Sequence, residues 1–386
     1  MTPRPILFVD HADALGGAER SLLLLMAFLN HARWQPHLVA PPGQLAGKAD
    51  RAGIPVHTLE LPRLRGSVRS PADWWKGAGN ISAIARRVGA ASIHSNTVRA
   101  SAYAAPAARL ARLPFFWHMR DFWLLEAEPA SKLADRIGKL LFCRAAAAVI
   151  TNSHAVAAHL PSSANAFVLH NGIDLSSFDA NNSSPGNREA MCQEAGFHPA
   201  APIVGMVGRL RPTKGQHSFL HMAGKLAETV PDCRFLVVGG DPFRVGDDYE
   251  ARLATLCSQL GLDDRVHWTG QLSDVRPALE AMDVFVHPGT PEPFGLVNIE
   301  AMAMGKPVVA FGHGALPEIV AHGETGILVP PDDIGALTEA VSRLLGDAPL
   351  SQRMGLAGRR RVEQYFGIER TVAELEAFYE RMLKRN

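Results

Sequence analysis

The sequence is short of the features that mark most specialised protein classes. Its 386 residues include only four cysteines, scattered at Cys143, Cys192, Cys233 and Cys257 with no CxxC pair. That spacing argues against a disulfide framework or a thiolate zinc site and suits a reducing cytosol. An excess of one charge is also missing. The 39 basic and 38 acidic side chains leave a net charge of +1, whereas a nucleic-acid binder held by phosphate neutralisation carries a basic surplus. No apolar run approaches the roughly 20 residues of a membrane span. The opening "MTPRPILFVDH" lacks the long apolar core of a signal peptide. Sixteen histidines are present, yet none falls in HExxH or another ligand spacing, so no metal site is expected.

What is present is ordinary soluble composition, 47% hydrophobic and 20% charged, in a chain long enough for two domains. Short β-branched runs alternate with longer amphipathic stretches. In the first half "PILFVD", "HLVA", "PVHTLEL", "ASIHS", "FFWHM", "AAVITN" and "FVLHN" read as strands. Helical patterns such as "GAERSLLLLMAFLNH" and "VRASAYAAPAARLARL" lie between them. Apolar runs separated by helices predict parallel strands joined by right-handed crossovers. From Ser176 to Pro202 the chain turns polar and rich in Asn, Ser and Pro, which reads as a linker holding one short helix. Alternation then resumes with "PIVGMVG", "RFLVVGG", "RVHWTG", "DVFVHPG", "KPVVAFG" and "TGILVPP". The expected architecture is α/β, two doubly wound Rossmann-like domains facing a central cleft, at 1–180 and 181–367. The amphipathic helix at about 368–386 is expected to pack back on the first domain.

Four stretches carry chemistry. In "HPGTPEPFGLVNIEAMAMGKPVV", Glu292 sits in a Pro/Gly turn after a strand and Glu300 lies inside the helix that begins near Gly295. Backbone N–H groups around Gly295, Leu296 and Val297 at that helix start form a natural anion site. The two carboxylates suit hydroxyl acceptors on either side of an anion. The plainer alternative is a solvated turn acid plus a helix-surface acid. In "GMVGRLRPTKG" a strand ends at Gly208, followed by Arg209, Arg211 and Lys214, with Gly215 opening a helix. This describes a phosphate-binding turn, or a basic surface loop; the Walker pattern GxxxxGK[ST] is absent. In "DHADALGGAERS", Gly16 and Gly17 open the first helix. GxGxxG is not formed and the acid expected about 20 residues on is missing, which disfavours a nicotinamide or flavin enzyme. "FFWHMRD" ends a strand with His118, Arg120 and Asp121, and "ITNSH" and "HNGID" close two more. The segment "RLRGSVRSPADWWKGAG", Arg63 to Gly79, reads most simply as a solvated loop; its arginines and tryptophans also suit contact with an anionic membrane face.

Together these stretches, with "NSHAVAAHL", "HNGIDLSSF", "VVGG" and "PEIVAHGETGILVPPDD", resemble the retaining nucleotide-sugar glycosyltransferases of family 4, also called glycosyl transferases group 1, of GT-B fold. The likeness spans nearly the whole chain. It implies an enzyme that moves a hexosyl- or N-acetylhexosaminyl-type sugar from a UDP- or GDP-linked donor to a glycan or lipid-linked acceptor, in bacterial cell-surface polysaccharide or glycolipid synthesis. Carried over by position, the resemblance gives Glu292 the donor-sugar hydroxyls, Glu300 the ribose, and Arg209 and Lys214 the diphosphate. It also places Gly208, Phe294, Gly295, Leu296 and Val297 around the donor. Trp268 to Leu272 lie near the base, Gly16 and Gly17 face the reacting phosphate, and His118 sits beside the donor sugar. Arg209, Lys214 and the helix start would stabilise the departing diphosphate. No cofactor, metal or nucleic acid is therefore expected, and the DxD motif of metal-dependent sugar-nucleotide enzymes does not occur. The expected location is cytoplasmic, with a peripheral contact at the inner face of the membrane. One departure stands out: where the family pairs glycines before "PE", this chain has Ala315. A sugar-nucleotide epimerase of the same fold and a non-enzymatic sugar-nucleotide binder are the alternatives.

Overall fold

The computed structural model describes residues 2–62, 71–122, 132–178, 186–240 and 248–384. The chain divides into two units, one of Met1–Ile173 with Ile368–Asn386 and one of Asp174–Gly367. The first boundary therefore falls a few residues before position 180.

In the first unit β1 (Arg4–Val9), β2 (Trp34–Ala40), β3 (Val56–Thr58), β4 (Ser92–Ser95), β5 (Phe115–Met119), β6 (Ala148–Thr151) and β7 (Ala166–Val168) form one sheet. Its order is β3-β2-β1-β4-β5-β6-β7 and every pairing is parallel. The strands read as unbroken apolar runs because helices cover both faces. One face carries Ile6, Phe8, Phe116 and Ile150 and packs with the helices Gly17–Phe28 and Ile368–Leu383; the other carries Leu7, Val9, Ile93 and Trp117. The late helix contributes Val372, Leu375, Phe378, Tyr379 and Leu383 to the first of these cores. Each such side chain adds about 1.5–3 kcal/mol when taken from water.

The second unit holds β8 (Ile203–Val207), β9 (Arg234–Val238), β10 (Val266–Gly270), β11 (Val284–His287), β12 (Val308–Phe311) and β13 (Gly326–Val329). They order as β10-β9-β8-β11-β12-β13, again all parallel. In both sheets the order reverses direction once, between β1 and β4 and between β8 and β11. Ligands in doubly wound sheets bind at that reversal, beyond the C-terminal strand ends.

Two segments differ from the sequence reading. Residues 63–70 lie outside the described residues, but from Pro71 to Arg87 the supposed loop is a 17-residue helix. Gly77 and Gly79 weaken its intrinsic propensity, and tertiary packing of Ala78, Ile81 and Ala85 outweighs that cost. Gly77 itself is required by proximity, since a Cβ there would lie 2.8 Å from the Tyr103 ring. Trp74 donates its indole N–H to the Ala102 carbonyl at 3.0 Å, while Trp75 is 50% exposed. The segment read as a linker belongs to the second unit where it is described; residues 179–185 lie outside the described residues. Its helix Asn187–Ala195 is anchored by Arg188, whose guanidinium meets both Asp283 oxygens at 3.1 Å and also the Ala281 and Ala201 carbonyls.

Candidate active site

In the second unit, two loops leave the sheet side by side at its reversal point. One follows β8 and runs from Gly208 through a 3-10 turn at Pro212–Lys214 to Gly215, which caps the helix Gln216–Thr229. The other follows β11 and runs from Pro288 to Gly295, which caps the eight-residue helix Leu296–Ala303. They touch backbone to backbone: Thr290 donates its N–H to the Thr213 carbonyl at 2.9 Å. Gly215, at φ +76°, lies so close to this second loop that a Cβ would sit 2.0 Å from the Pro288 oxygen. Gln216, fully buried, donates to the Arg209 carbonyl at 2.8 Å and fixes the first loop from below.

This approach brings Lys214 to Glu292, Nζ to Oε2 at 2.7 Å, across 78 positions of sequence. Burial pushes the Glu292 carboxyl up, but the charges of Lys214, His287 and Arg209 and the Lys214 hydrogen bond outweigh it and hold the carboxyl below its ordinary value. Glu292 is further set by its own backbone. Its carbonyl accepts from the Ala315 N–H at 2.9 Å, and Gly314, at φ +57°, stands where a Cβ would be 2.6 Å from the Glu292 N and O. Ala315, the departure from the family pattern, adopts ordinary right-handed backbone (φ −85°, ψ −3°) and is fully buried. Gly295 takes φ +87°, and a Cβ there would lie 2.6 Å from Asn298 Nδ2. The first N–H groups of the helix it caps lack intrahelical acceptors by construction. Phe294 is buried beneath the turn, while Leu296, Val297 and Glu300 are half-buried.

Two residues here escape a reading of the sequence. Asn298, fully buried, donates from Nδ2 both to the Gly295 carbonyl at 3.0 Å and to His287 Nδ1 at 3.1 Å. The carbonyl contact fixes the amide orientation, so His287 Nδ1 is the acceptor and its proton resides on Nε2. That atom lies 3.7 Å from Glu292 Oε2. Burial is the main cause that pushes the His287 pKa down, to about 4. The position of a histidine at a strand end, one residue before Pro-Gly, is the available signal.

In the first unit the corresponding reversal point holds a buried polar network. Asp10, at the end of β1, accepts from the His11 and Ala12 N–H groups at 2.6 and 3.0 Å and from Asn96 Nδ2 at 2.8 Å. Arg120, only 6% exposed, donates to Asn96 and Asn171 side-chain oxygens, each at 2.5 Å. Burial lowers the Arg120 pKa to about 10, and raises those of Asp10 and Glu19. Glu19 accepts from the Gly16 N–H at 2.8 Å, satisfying a backbone donor at the start of the helix that Gly17 begins. His118 lies 1% exposed on β5, its Nδ1 3.1 Å from His94 Nε2 and 3.4 Å from Arg120 Nη2. The sequence residues thus fall into two groups: Gly208, Arg209, Lys214, Glu292 and Phe294 to Glu300 around one reversal point, and Gly16, Gly17 and His118 around the other. Asp10, Asn96, His94 and Tyr379 in the second group are not singled out by any motif.

Comparison with known proteins agrees with this division. The glycosyl transferases group 1 model matches residues 187–361, and the glycosyltransferase family 4 model matches residues 15–177. The lipopolysaccharide core biosynthesis mannosyltransferase LpsB of Rhizobium meliloti is 33% identical over 241 residues, 61% of this chain and 66% of that protein. A D-inositol 3-phosphate glycosyltransferase of Mycobacterium sp. (strain KMS) is 37% identical over 188 residues, 48% of this chain and 40% of that protein. The chain thus spans less than two thirds of the length of these curated relatives. Among solved structures, Anabaena Alr3699/HepE in complex with UDP-glucose superposes with a TM-score of 0.82 at 26% identity, over 97% of this chain and 99% of that one. Two parallel Rossmann-like sheets, a family model on each, and an overlay along nearly the whole chain lead to one assignment: the chain belongs to the glycosyl transferases of group 1 and has the GT-B fold.

Proposed function

We propose that this chain is a metal-independent, retaining glycosyltransferase that takes a sugar from a nucleotide-diphosphate donor and places it on a glycan or glycolipid. The observation that carries the reading is the Lys214–Glu292 pair, held at 2.7 Å beside the Gly295 helix start. Breaking an anomeric C–O bond builds positive charge on the sugar and negative charge on the departing diphosphate. A lysine, an arginine and a helix N-terminus supply preorganised positive potential for that leaving group, with no reorganisation at the moment of reaction. Glu292, kept ionised by its neighbours, is an acceptor for sugar hydroxyls. Glu300, one turn into the helix, takes the ribose. With two carboxylates assigned to hydroxyls, no protein nucleophile is named, and retention follows from attack on the face the phosphate leaves. The UDP and UDP-glucose complexes of Alr3699/HepE support a uridine donor as the first to test.

Lys214→Ala and Glu292→Ala are each expected to lower turnover of the preferred UDP- or GDP-sugar about 100-fold or more, as loss of a transition-state contact does. Product anomeric configuration read by NMR should match the donor, and activity should survive chelation. Unchanged turnover in both variants sinks the reading; a new nucleotide-sugar isomer without acceptor would establish an epimerase instead. Among the described residues no helix is long and apolar enough to cross a membrane. The half-exposed Trp75 supports a peripheral contact with an anionic membrane face, which sedimentation with anionic vesicles at low salt tests.

A further inference from the structure

The face of the first sheet that packs under the helix Ile368–Leu383 is largely apolar, and two histidines interrupt it beside the buried Ser92. His94 on β4 is fully buried, and His118 stands two residues beyond Phe116 on β5, on the same face. Tyr379 reaches them from the late helix, packing on Trp34 and Phe116 at ring-centroid distances of 5.4 and 5.7 Å. Its hydroxyl lies 2.6 Å from His94 Nδ1, and His94 Nε2 lies 3.1 Å from His118 Nδ1. Arg120 Nη2 also approaches His118 Nδ1, at 3.4 Å. Among the described residues, His118 Nε2 is a buried nitrogen with no hydrogen-bond partner.

Only one assignment of protons satisfies this chain. A guanidinium can only donate, so His118 Nδ1 must accept. His94 Nε2 then carries the proton given to His118, His94 Nδ1 accepts, and the Tyr379 O–H donates to it. The reverse order would set the His118 Nδ1–H against an Arg120 N–H and leave the Tyr379 hydroxyl proton buried without an acceptor. Burial keeps both rings neutral, pushing His94 down to about 3 and His118 well below the usual histidine range.

We infer that Tyr379 and His94 are positioning residues that fix the tautomer of His118, so that His118 presents Nε2–H as a permanent neutral hydrogen-bond donor to an oxygen of the bound substrate. A histidine held this way is not the general base of the reaction. Identifying the acceptor as a donor-sugar oxygen rests on the glycosyl-transfer reading above; the relay itself does not.

The test uses the full chain labelled with 15N-histidine. Two-bond 1H–15N correlations in the ligand-free wild type should show both His94 and His118 protonated at Nε2 and neutral at pH 6. In Tyr379→Phe, His118 should gain a measurable Nδ1–H population. Two variants of equal length then separate donor from acceptor. His94→Gln can still accept from Tyr379 and donate to His118, and should retain the Nε2–H signature and transfer activity within about threefold, less than the worth of one hydrogen bond. His94→Glu can only accept when ionised, should invert His118, and should lower kcat/KM about tenfold or more. Protonation of wild-type His118 at Nδ1, or equal activity and equal His118 spectra in the Gln and Glu variants, overturns the inference. Absence of any sugar-nucleotide turnover in the wild type would instead overturn the glycosyl-transfer reading, and the tautomer spectra would still decide the relay.

Discussion

At the scale of single residues, protonation in the second-unit site is set by burial at His287 and by neighbouring charges at Glu292. His287, 5% exposed, is neutral when folded because its pKa falls to about 4, whereas in the unfolded chain it titrates near 6.5. Between those values the unfolded state binds the extra proton, so stability contributed by His287 is complete above about pH 6.5 and is lost as pH falls toward 4. Asp10 and Glu19, raised by burial, work in the opposite sense. A comparison with His287→Asn therefore isolates the contribution: urea melts should show a shallower loss of stability from pH 6.5 to 4.5 in the variant. The difference in change should be about 2 kcal/mol over that range, from the 1.36 kcal/mol carried by each pKa unit. An identical slope in the two proteins would show that His287 is not buried neutral. This contribution is not legible in the sequence. The Glu292/Glu300 spacing, the Lys214 turn and the glycine caps are local patterns. The roles of His287 and Asn298 depend on which nitrogen faces which carbonyl, and that of Tyr379 on a contact made across 285 positions.

At the scale of elements, legibility tracks burial. Every strand of both sheets is readable beforehand, because most are short runs of Val, Ile, Leu and Phe bounded by turns, as parallel strands covered on two faces require. The helix Pro71–Arg87 is hidden for a physical reason, since two glycines lower its propensity and one of them, Gly77, is there to fit Tyr103 rather than to suit a helix. That yields opposite outcomes two residues apart. A Cβ added at Gly79 would meet no atom within 4 Å, so Gly79→Ala should stabilise the protein by about 0.5–1 kcal/mol. Gly77→Ala drives a methyl to 2.8 Å from the Tyr103 ring and should destabilise it by about 1–3 kcal/mol, as overpacking does. Thermal melts of the two variants check both signs. The same logic explains why the site loops are rich in glycine. Gly215, Gly295 and Gly314 adopt positive φ where another backbone or side chain stands within 3 Å of the missing Cβ.

At the scale of the molecule, each unit has its own core and its own reversal point, and the family models divide between them in the same way. The helix Ile368–Leu383 completes the first unit, and its buried Val372, Leu375, Phe378, Tyr379 and Leu383 together contribute on the order of 10 kcal/mol, comparable to the whole stability of a domain. Ending the chain at Gly367 should therefore abolish the calorimetric transition of the first unit. The second unit should keep its own transition, and UDP should raise it, because a ligand that binds only the folded state adds to its stability. Loss of both transitions together would show that the units do not fold separately.

The interrupted first unit also sets an order of events during synthesis. Its seven strands leave the ribosome before any of the second unit, yet the helix that covers Ile6, Phe8, Phe116 and Ile150 follows all of it. Throughout that interval an apolar sheet face waits only partly buried, under the helix Gly17–Phe28 but without Ile368–Leu383, while the second unit is made. Of the two units, the one begun earlier is completed later, and the apolar surface left open in between is the kind that favours aggregation and engages chaperones.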